Sequence, residues 1–240
     1  MNFEPELSVV ILCYRGEEHV VPFIEQVKAV LESRQVAFEL VLVANYDAPE
    51  SRDNTPRVVR ALAQADNRYV CVAGVKRGMM GWDLREGLNV ARGRTIAFLD
   101  GDGQTPATDI LRLYDLLMQQ NLDMCKVYRT ARADSRTRKY ISAFFNFAFA
   151  ILFPGKRIRD INAKPKLLTR SALRQLSLTS TDWFIDTELM LEVRRHHLRF
   201  AEIPGVAGEN TWRRSFIGFP ALLEFVKNLL AYRIRYWFTR

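Results

Sequence analysis

Hydrophobic residues in the first hundred positions fall into short unbroken runs separated by amphipathic stretches. Leu7–Cys13 (LSVVILC) is a continuous β-branched and apolar run, the pattern of a strand buried on both faces, and Phe38–Ala44 (FELVLVA) reads as a second buried strand. Tyr69–Gly74 and Thr95–Asp100 (TIAFLD) read as a third and a fourth strand. Between the first two, Glu17 to Arg34 places Val20, Phe23, Ile24, Val27, Val30 and Leu31 on one stripe, the spacing of a helix packed on a core. Further helices are predicted over Thr55–Ala65 and Trp82–Arg92, and loops over residues 45–56 (NYDAPESRDNTP) and Gly78–Gly81. Such alternation predicts an α/β protein with a mostly parallel sheet flanked by helices, whose ligands bind outside the carboxyl ends of the strands.

The second half is less regular. A fifth strand over about Asp123–Tyr128 is followed by a basic segment, RTARADSRTRK. Ile141–Phe153 (ISAFFNFAFAILF) carries five phenylalanines and is apolar nearly all round. A membrane span needs roughly 20 residues, so this segment is too short to cross. Phe219–Arg240 is predicted as an amphipathic helix, with Leu222, Phe225, Val226, Leu229 and Tyr236 on one side among Lys227, Arg233, Arg235 and Arg240. Both segments suit the surface of a membrane. The alternative is a core helix and a dimerisation helix, which leaves a homodimer open.

Composition narrows the chemistry. The chain has 240 residues, 48% of them hydrophobic and 26% charged, as expected of an ordinary globular protein. Its charge of +8 favours anionic partners without choosing among them. Three histidines and three scattered cysteines (Cys13, Cys71, Cys125) form no zinc spacing and no disulfide framework, and suit a reducing cytoplasm. GxSxG, GxxxxGK[ST] and GxGxxG are all missing. The N-terminal MNFEPELSVV carries two acids and no basic region, so no signal peptide is expected.

The turn after the fourth strand, Asp100-Gly101-Asp102-Gly103-Gln104-Thr105-Pro106, holds the most informative residues. Two carboxylates one residue apart, with Gly101 letting the backbone bend, make a site for a hard divalent cation, and Mg²⁺ or Mn²⁺ usually shares such oxygens with substrate phosphates. A calcium-binding EF-hand is excluded by Gln104 and Thr105. The plain alternative is a solvated Asp-Gly turn, which the position after the fourth strand disfavours.

TIAFLDGDGQTP resembles the strand and Asp-x-Asp motif of family 2 glycosyltransferases with the GT-A fold, and is most similar to the dolichyl-phosphate mannose synthase type, the polyprenyl-phosphate sugar transferases. LSVVILCYRGEE, ELVLVANYDAPESRDNTP, KRGMMGWDLREGLNVARGRTIAFLDGDGQ, RDINAKPKLLTRSAL and DWFIDTELMLEVRRHHLRFAEIP follow in the family's order, over roughly residues 6 to 215. The resemblance implies one GT-A domain over residues 1–215, with a nucleotide-sugar half to 106 and an acceptor half from 107, and the helix of 216–240 appended.

It also implies roles. Asp100, Asp102 and Gln104 would hold Mg²⁺ or Mn²⁺ against the diphosphate of a GDP- or UDP-linked sugar. Tyr14, Glu17 and Asn45 fall near the nucleoside, Arg77 and Gly78 in the loop bordering it, and Arg213 or Arg214 where a basic residue closes over the diphosphate. Arg129, Arg138 and Ser142 match groups presented to a lipid phosphate. An anionic phosphate acceptor needs no general base, whereas a sugar hydroxyl needs a carboxylate, for which Asp186 is the candidate and Glu188 the second. The expected activity is an inverting transfer of one sugar to a polyprenyl-phosphate or other lipid-linked acceptor, at the inner face of the cell membrane. The family pattern is not followed at Leu12-Cys13, at Ala44-Asn45 in place of an acidic pair, at Lys164-Pro165 in place of Gly-Phe, and at Phe216 in place of Lys.

Three other readings compete. A saccharide hydroxyl could be the acceptor, as in cell-envelope polysaccharide assembly. A non-catalytic relative could act as a subunit. Nucleic-acid binding, raised by the +8 charge and the segment 129–139, is disfavoured because Asp100 and Asp102 would repel a phosphate backbone.

Overall fold

The computed structural model describes residues 4–49, 52–132, 149, 151–153, 155, 158–208 and 227–234. Seven strands form one sheet in the order β3-β2-β1-β4-β6-β5-β7. They are β1 (Leu7–Leu12), β2 (Phe38–Val43), β3 (Tyr69–Val72), β4 (Thr95–Asp100), β5 (Met124–Arg132), β6 (Lys166–Thr169) and β7 (Phe200–Ala207). β1 runs parallel to β2 and β4, with Leu7 opposite Phe38 and Thr95, and Leu12 opposite Val43 and Asp100. β6 is antiparallel to both β4 and β5, and β5 is parallel to β7.

Helices cover both faces. They are α1 (Val21–Ser33), α2 (Thr55–Ala65), α3 (Met80–Val90), α4 (Thr108–Gln119), a single turn α5 (Arg170–Leu173) and α6 (Ile185–Arg195). Because strand side chains alternate, β1 sends Leu7, Val9 and Ile11 into a core with Phe23, Ile24, Val27 and Leu31 of α1 and Ile110, Leu113 and Leu117 of α4. Its Val10 and Leu12 enter the opposite core with Leu84 and Leu88 of α3 and Leu189 and Val193 of α6.

Boundaries moved where backbone chemistry intervened. Residues 17–20 form a 3₁₀ turn and α1 starts only at Val21, because Pro22 belongs in the first turn of a helix. α3 begins two residues earlier than expected, and β3 ends at Val72. α4 and β6 have no counterpart in the pattern reading of the chain.

Local ion pairs stitch the edge. Asp66, after α2, accepts from the Arg68 amide and Nε at Oδ1 and from a terminal guanidinium nitrogen at Oδ2, and Lys28 of α1 lies 3.0 Å from Oδ2. Arg68 hydrogen bonding holds the Asp66 carboxyl well below the usual carboxylate range. A carboxylate lowered in the folded state stabilises above its unfolded value of 3.8, and that stability is lost as pH falls through the folded value. Asp66→Asn should therefore cost about 1–2 kcal/mol at pH 7 and show a shallower acid limb, measured as urea midpoints between pH 7 and pH 3. Parallel acid limbs for the two proteins would reject this account.

Candidate active site

The carboxyl ends of β1, β2 and β4 meet in a cleft. Gly101 N–H donates to the Leu12 carbonyl at 2.9 Å, so the turn after β4 is locked to the end of β1. The residue that needs glycine's backbone freedom is Gly103, at φ +69°, rather than Gly101. The Asp102 carboxylate accepts from the Gln104 amide at 3.1 Å, closing the turn on itself. Gln104 donates its side-chain amide to the Gly208 carbonyl, and Gly208 N–H donates back to the Gln104 carbonyl, which ties the turn to the chain just beyond β7. A small pocket opens here, lined by Asp100, Asp102, Gln104, Thr105, Arg129, Asn162 and Lys164.

Two cations line this pocket. Arg129 is held as a fork on Asp160, with Nε to Oδ2 at 2.7 Å and a terminal nitrogen to Oδ1 at 2.8 Å. Lys164, from the loop before β6, has its ammonium 3.3 Å from both oxygens of Asp100 and 3.2 Å from Asp186 Oδ2. Burial opposes the charge on Lys164, but Asp100 and Asp186 outweigh it and hold the ammonium above its ordinary value.

Asp186 stands in the first turn of α6, 1% exposed. Its other oxygen meets Lys166, a fully buried β6 residue opposite Phe98. Burial alone would raise the Asp186 carboxyl, yet the two lysines hold it below the usual range. Lys166 is pushed down to about 8 by burial, which outweighs the pull of Asp186. At 1% exposed and paired with two lysines, Asp186 has the geometry of a buried counter-ion. Glu188 is similarly engaged: its oxygens accept from the Thr179 and Ser180 amides and the Thr179 hydroxyl.

Beyond the end of β1, Tyr14 donates its hydroxyl to Asp47 at 2.6 Å, where Arg15 also pairs at 2.9 Å. Burial, with help from that hydrogen bond, pushes the Tyr14 phenol up to about 12. Lys76 lies 3.8 Å from the centre of the Tyr14 ring and pairs with buried Asp83. Asn45, 2% exposed, donates to Asp83 at 3.0 Å and accepts from the Gly74 amide at 2.9 Å, so it braces the wall of the cleft. The Glu17 and Arg77 side chains are exposed, and the Glu17 amide donates to Thr55. Gly78 packs flat on the 181–182 segment, where a Cβ would stand 2.8 Å from the Thr181 carbonyl.

The structure thus brings Asp100, Asp102, Gln104 and Arg129 to one pocket and sets Tyr14 and Asn45 along the neighbouring wall. Arg138, Ser142, Arg213 and Arg214 lie outside the described residues, as do most of Ile141–Phe153 and Leu222, Phe225, Val226 and Tyr236 of the last helix. Residues 227–234 are helical and turn Leu229 and Tyr232 toward Phe153 and Phe184. Asp47, Lys76, Asp83 and Lys164 were not picked from the sequence as site residues. Only Lys164 carried a signal, as a lysine where the family has glycine.

A mostly parallel sheet flanked by helices, with the Asp100–Asp102 turn at the carboxyl ends of its strands, is the GT-A type of α/β fold. The family model for glycosyl transferase family 2 matches residues 8–177, and the chain belongs to that family. It is 28% identical over 175 residues to dodecaprenyl-phosphate galacturonate synthase of Rhizobium johnstonii, covering 72% of this chain and 50% of that protein. It is 26% identical over 250 residues to human dolichyl-phosphate β-glucosyltransferase, covering 96% and 76% of the two chains. The chain therefore spans half the length of the first relative and about three quarters of the second. The fold is similar to glucosyl-3-phosphoglycerate synthase of Mycobacterium tuberculosis, crystallised with Mn²⁺, UDP and glucosyl-3-phosphoglycerate. That likeness has TM-score 0.72 at 16% identity, over 95% of this chain and 80% of that one.

Proposed function

We propose that this chain is a glycosyltransferase that moves one sugar from a UDP- or GDP-linked donor to a polyprenyl phosphate or similar lipid-linked phosphate, with inversion at the sugar carbon. Family membership and the printed activities of the two relatives support the reaction class. The observation that carries the acceptor class is the state of Asp186 and Glu188. Both candidate bases are committed inside the protein, so an acceptor that is already an anion suits this site better than a hydroxyl.

The donor set fits a divalent cation in kind: Asp100, Asp102 and Gln104 offer oxygens, and the buried, unpartnered Asn162 side-chain oxygen belongs to a residue lining the same pocket. Mg²⁺ or Mn²⁺ bound there would act as a Lewis acid on the departing diphosphate. Arg129, fixed by Asp160, directs positive charge at the same pocket and would steady a phosphate oxygen there. Tyr14 and the Lys76–Asp83–Asn45 chain border the space for the nucleoside.

A peripheral position at the inner membrane face belongs to this reading. Among the described residues no helix is long and apolar enough to cross a membrane. Leu230 and Ile234, four residues apart on one helix face, and Ile151 are about half exposed or more, as an interfacial surface requires.

The test is transfer from labelled UDP- and GDP-sugars to polyprenyl phosphate, to the same polyprenol without phosphate, and to an oligosaccharide. The expected result is labelled lipid from the phosphate alone. Equal labelling of polyprenol or of the oligosaccharide would reject the phosphate acceptor.

A further inference from the structure

The helix at residues 227–234 presents apolar side chains on two faces. One face is docked: Leu229 is 1% exposed, and the Tyr232 ring stands 6.2 Å from Phe153 and 6.1 Å from Phe184. Two polar bonds fix it there. Asn228 donates its side-chain amide to Asp182 Oδ2 at 2.6 Å, and the Tyr232 hydroxyl donates to buried Glu192. On the other face Lys227, Leu230, Ala231 and Ile234, at the spacing of neighbours on one side of a helix, are all exposed.

Asp182 is where the docked face meets the wall of the cleft. Its second carboxylate oxygen accepts from the Phe184 amide, just before α6. Its carbonyl accepts from Gly81 N–H at 3.0 Å, and the Thr181 carbonyl accepts from the Met79 and Trp82 amides at 2.7 and 3.0 Å. The fit is close, since a Cβ on Gly81 would stand 2.6 Å from the Asp182 carbonyl and 2.7 Å from that of Ser180. Residues 180–182 are thus the seat of the first turn of α3. That turn carries Asp83, which holds both Lys76 and Asn45.

We propose that this helix docks on an anionic lipid surface through Lys227, Leu230, Ala231 and Ile234, and that lipid contact, by keeping Asn228 on Asp182, steadies the start of α3 and tightens donor binding. The inference rests on reading the Asp83–Lys76–Asn45 wall as part of the donor site. Charge selects lipid over a second copy of the chain: residues 219–240 contain four Lys or Arg and one Glu, which repels its own copy and attracts anionic headgroups. A surface that binds only the docked helix stabilises that state by mass action. The coupling is reciprocal, so nucleotide tightens lipid binding by the factor that lipid tightens nucleotide binding.

The experiment titrates UDP and GDP at fixed free Mn²⁺ into the full chain, alone and with vesicles that carry no acceptor. The vesicles are phosphatidylcholine, with or without phosphatidylglycerol, and co-sedimentation of the same samples reads lipid binding. Wild type is compared with Asn228→Ala and with Leu230→Ser/Ile234→Ser, each checked by thermal melting. Vesicles with phosphatidylglycerol should sediment wild type and tighten its nucleotide by about tenfold. Leu230→Ser/Ile234→Ser should lose both effects, whereas Asn228→Ala should still sediment but gain no nucleotide affinity from vesicles.

Wild type that binds neither kind of vesicle, or both equally, overturns the proposal, and a dimer lost in Leu230→Ser/Ile234→Ser would name a second copy as the occupant instead. Sedimentation with unchanged nucleotide affinity, or an equal vesicle effect in Asn228→Ala, overturns this proposal and leaves the donor-site reading standing. Binding of neither nucleotide in any sample overturns both. If Asn228→Ala does not fold, wild type decides by itself: nucleotide must raise its vesicle binding by the factor found in the titration, and a failure of that equality overturns the proposal.

Discussion

Asp186→Ala should destabilise the protein by about 3–5 kcal/mol, because it leaves one fully buried ammonium unpaired and takes a partner from a second. For a chain of this size that lowers the thermal midpoint by about 10 °C. Lys166 is 0% exposed and Asp186 is its ion-pair partner, so no water can replace the lost carboxylate without opening the core between β6 and α6. Removing both members of the pair is less damaging: Lys166→Met with Asp186→Leu keeps volume and leaves Lys164 with Asp100, and should recover about half of the loss. Differential scanning calorimetry of the three proteins checks this. An Asp186→Ala protein that melts within 2 °C of wild type would show, on the size scaling of unfolding, that the pair contributes little.

This changes what an inactive Asp186 variant means. Sequence reasoning treats its loss as a discriminator, severe for a hydroxyl acceptor and mild for a phosphate. With Asp186 beneath the pocket and two lysines on it, loss is severe under either acceptor and says nothing about base catalysis. The polyprenol-against-polyprenyl-phosphate comparison does not suffer from this, because it changes the acceptor and leaves the protein intact.

How far the chain could be read depended on where each segment gets its stability. β1, β2 and β4 are buried on both faces mostly by apolar side chains, with Ser8 and Glu39 paired to each other, so their runs of Val, Leu and Ile were legible. β6 was not, because Lys164, Pro165 and Lys166 break the apolar run, and burial of those lysines depends on Asp100 and Asp186, far away in sequence. The Asp100–Asp102 turn was legible because its chemistry is local: two carboxylates, a closing glycine and a backbone hydrogen bond within five residues. The cleft wall was not. Asn45 looked like a nucleoside contact by position, and only the fold shows its amide taken up by Asp83 and Gly74. Asp47, two residues on, is the acid that meets Tyr14 and Arg15, and nothing local marks it.

Asp102→Ala should remove donor binding while leaving the fold intact, the opposite signature to Asp186. Asp102 is half-buried, and its hydrogen bond to Gln104 is a turn contact worth about 1 kcal/mol, so loss of that bond by itself should move the thermal midpoint by only a few degrees. If Asp102 holds the metal against the diphosphate, its loss should weaken Mn²⁺-dependent nucleotide binding by about hundredfold, or about 3 kcal/mol. Calorimetric titration of UDP and of GDP, each with and without Mn²⁺, into wild type and Asp102→Ala reads this directly. Tight binding of one nucleotide that requires both Mn²⁺ and Asp102 identifies the base of the donor. No binding of either by folded wild-type protein removes the donor site and leaves the chain as a non-catalytic member of its family. Retained Mn²⁺-dependent binding in Asp102→Ala would reject Asp102 as a necessary ligand and leave Asp100 and the other oxygens of the pocket to hold the metal.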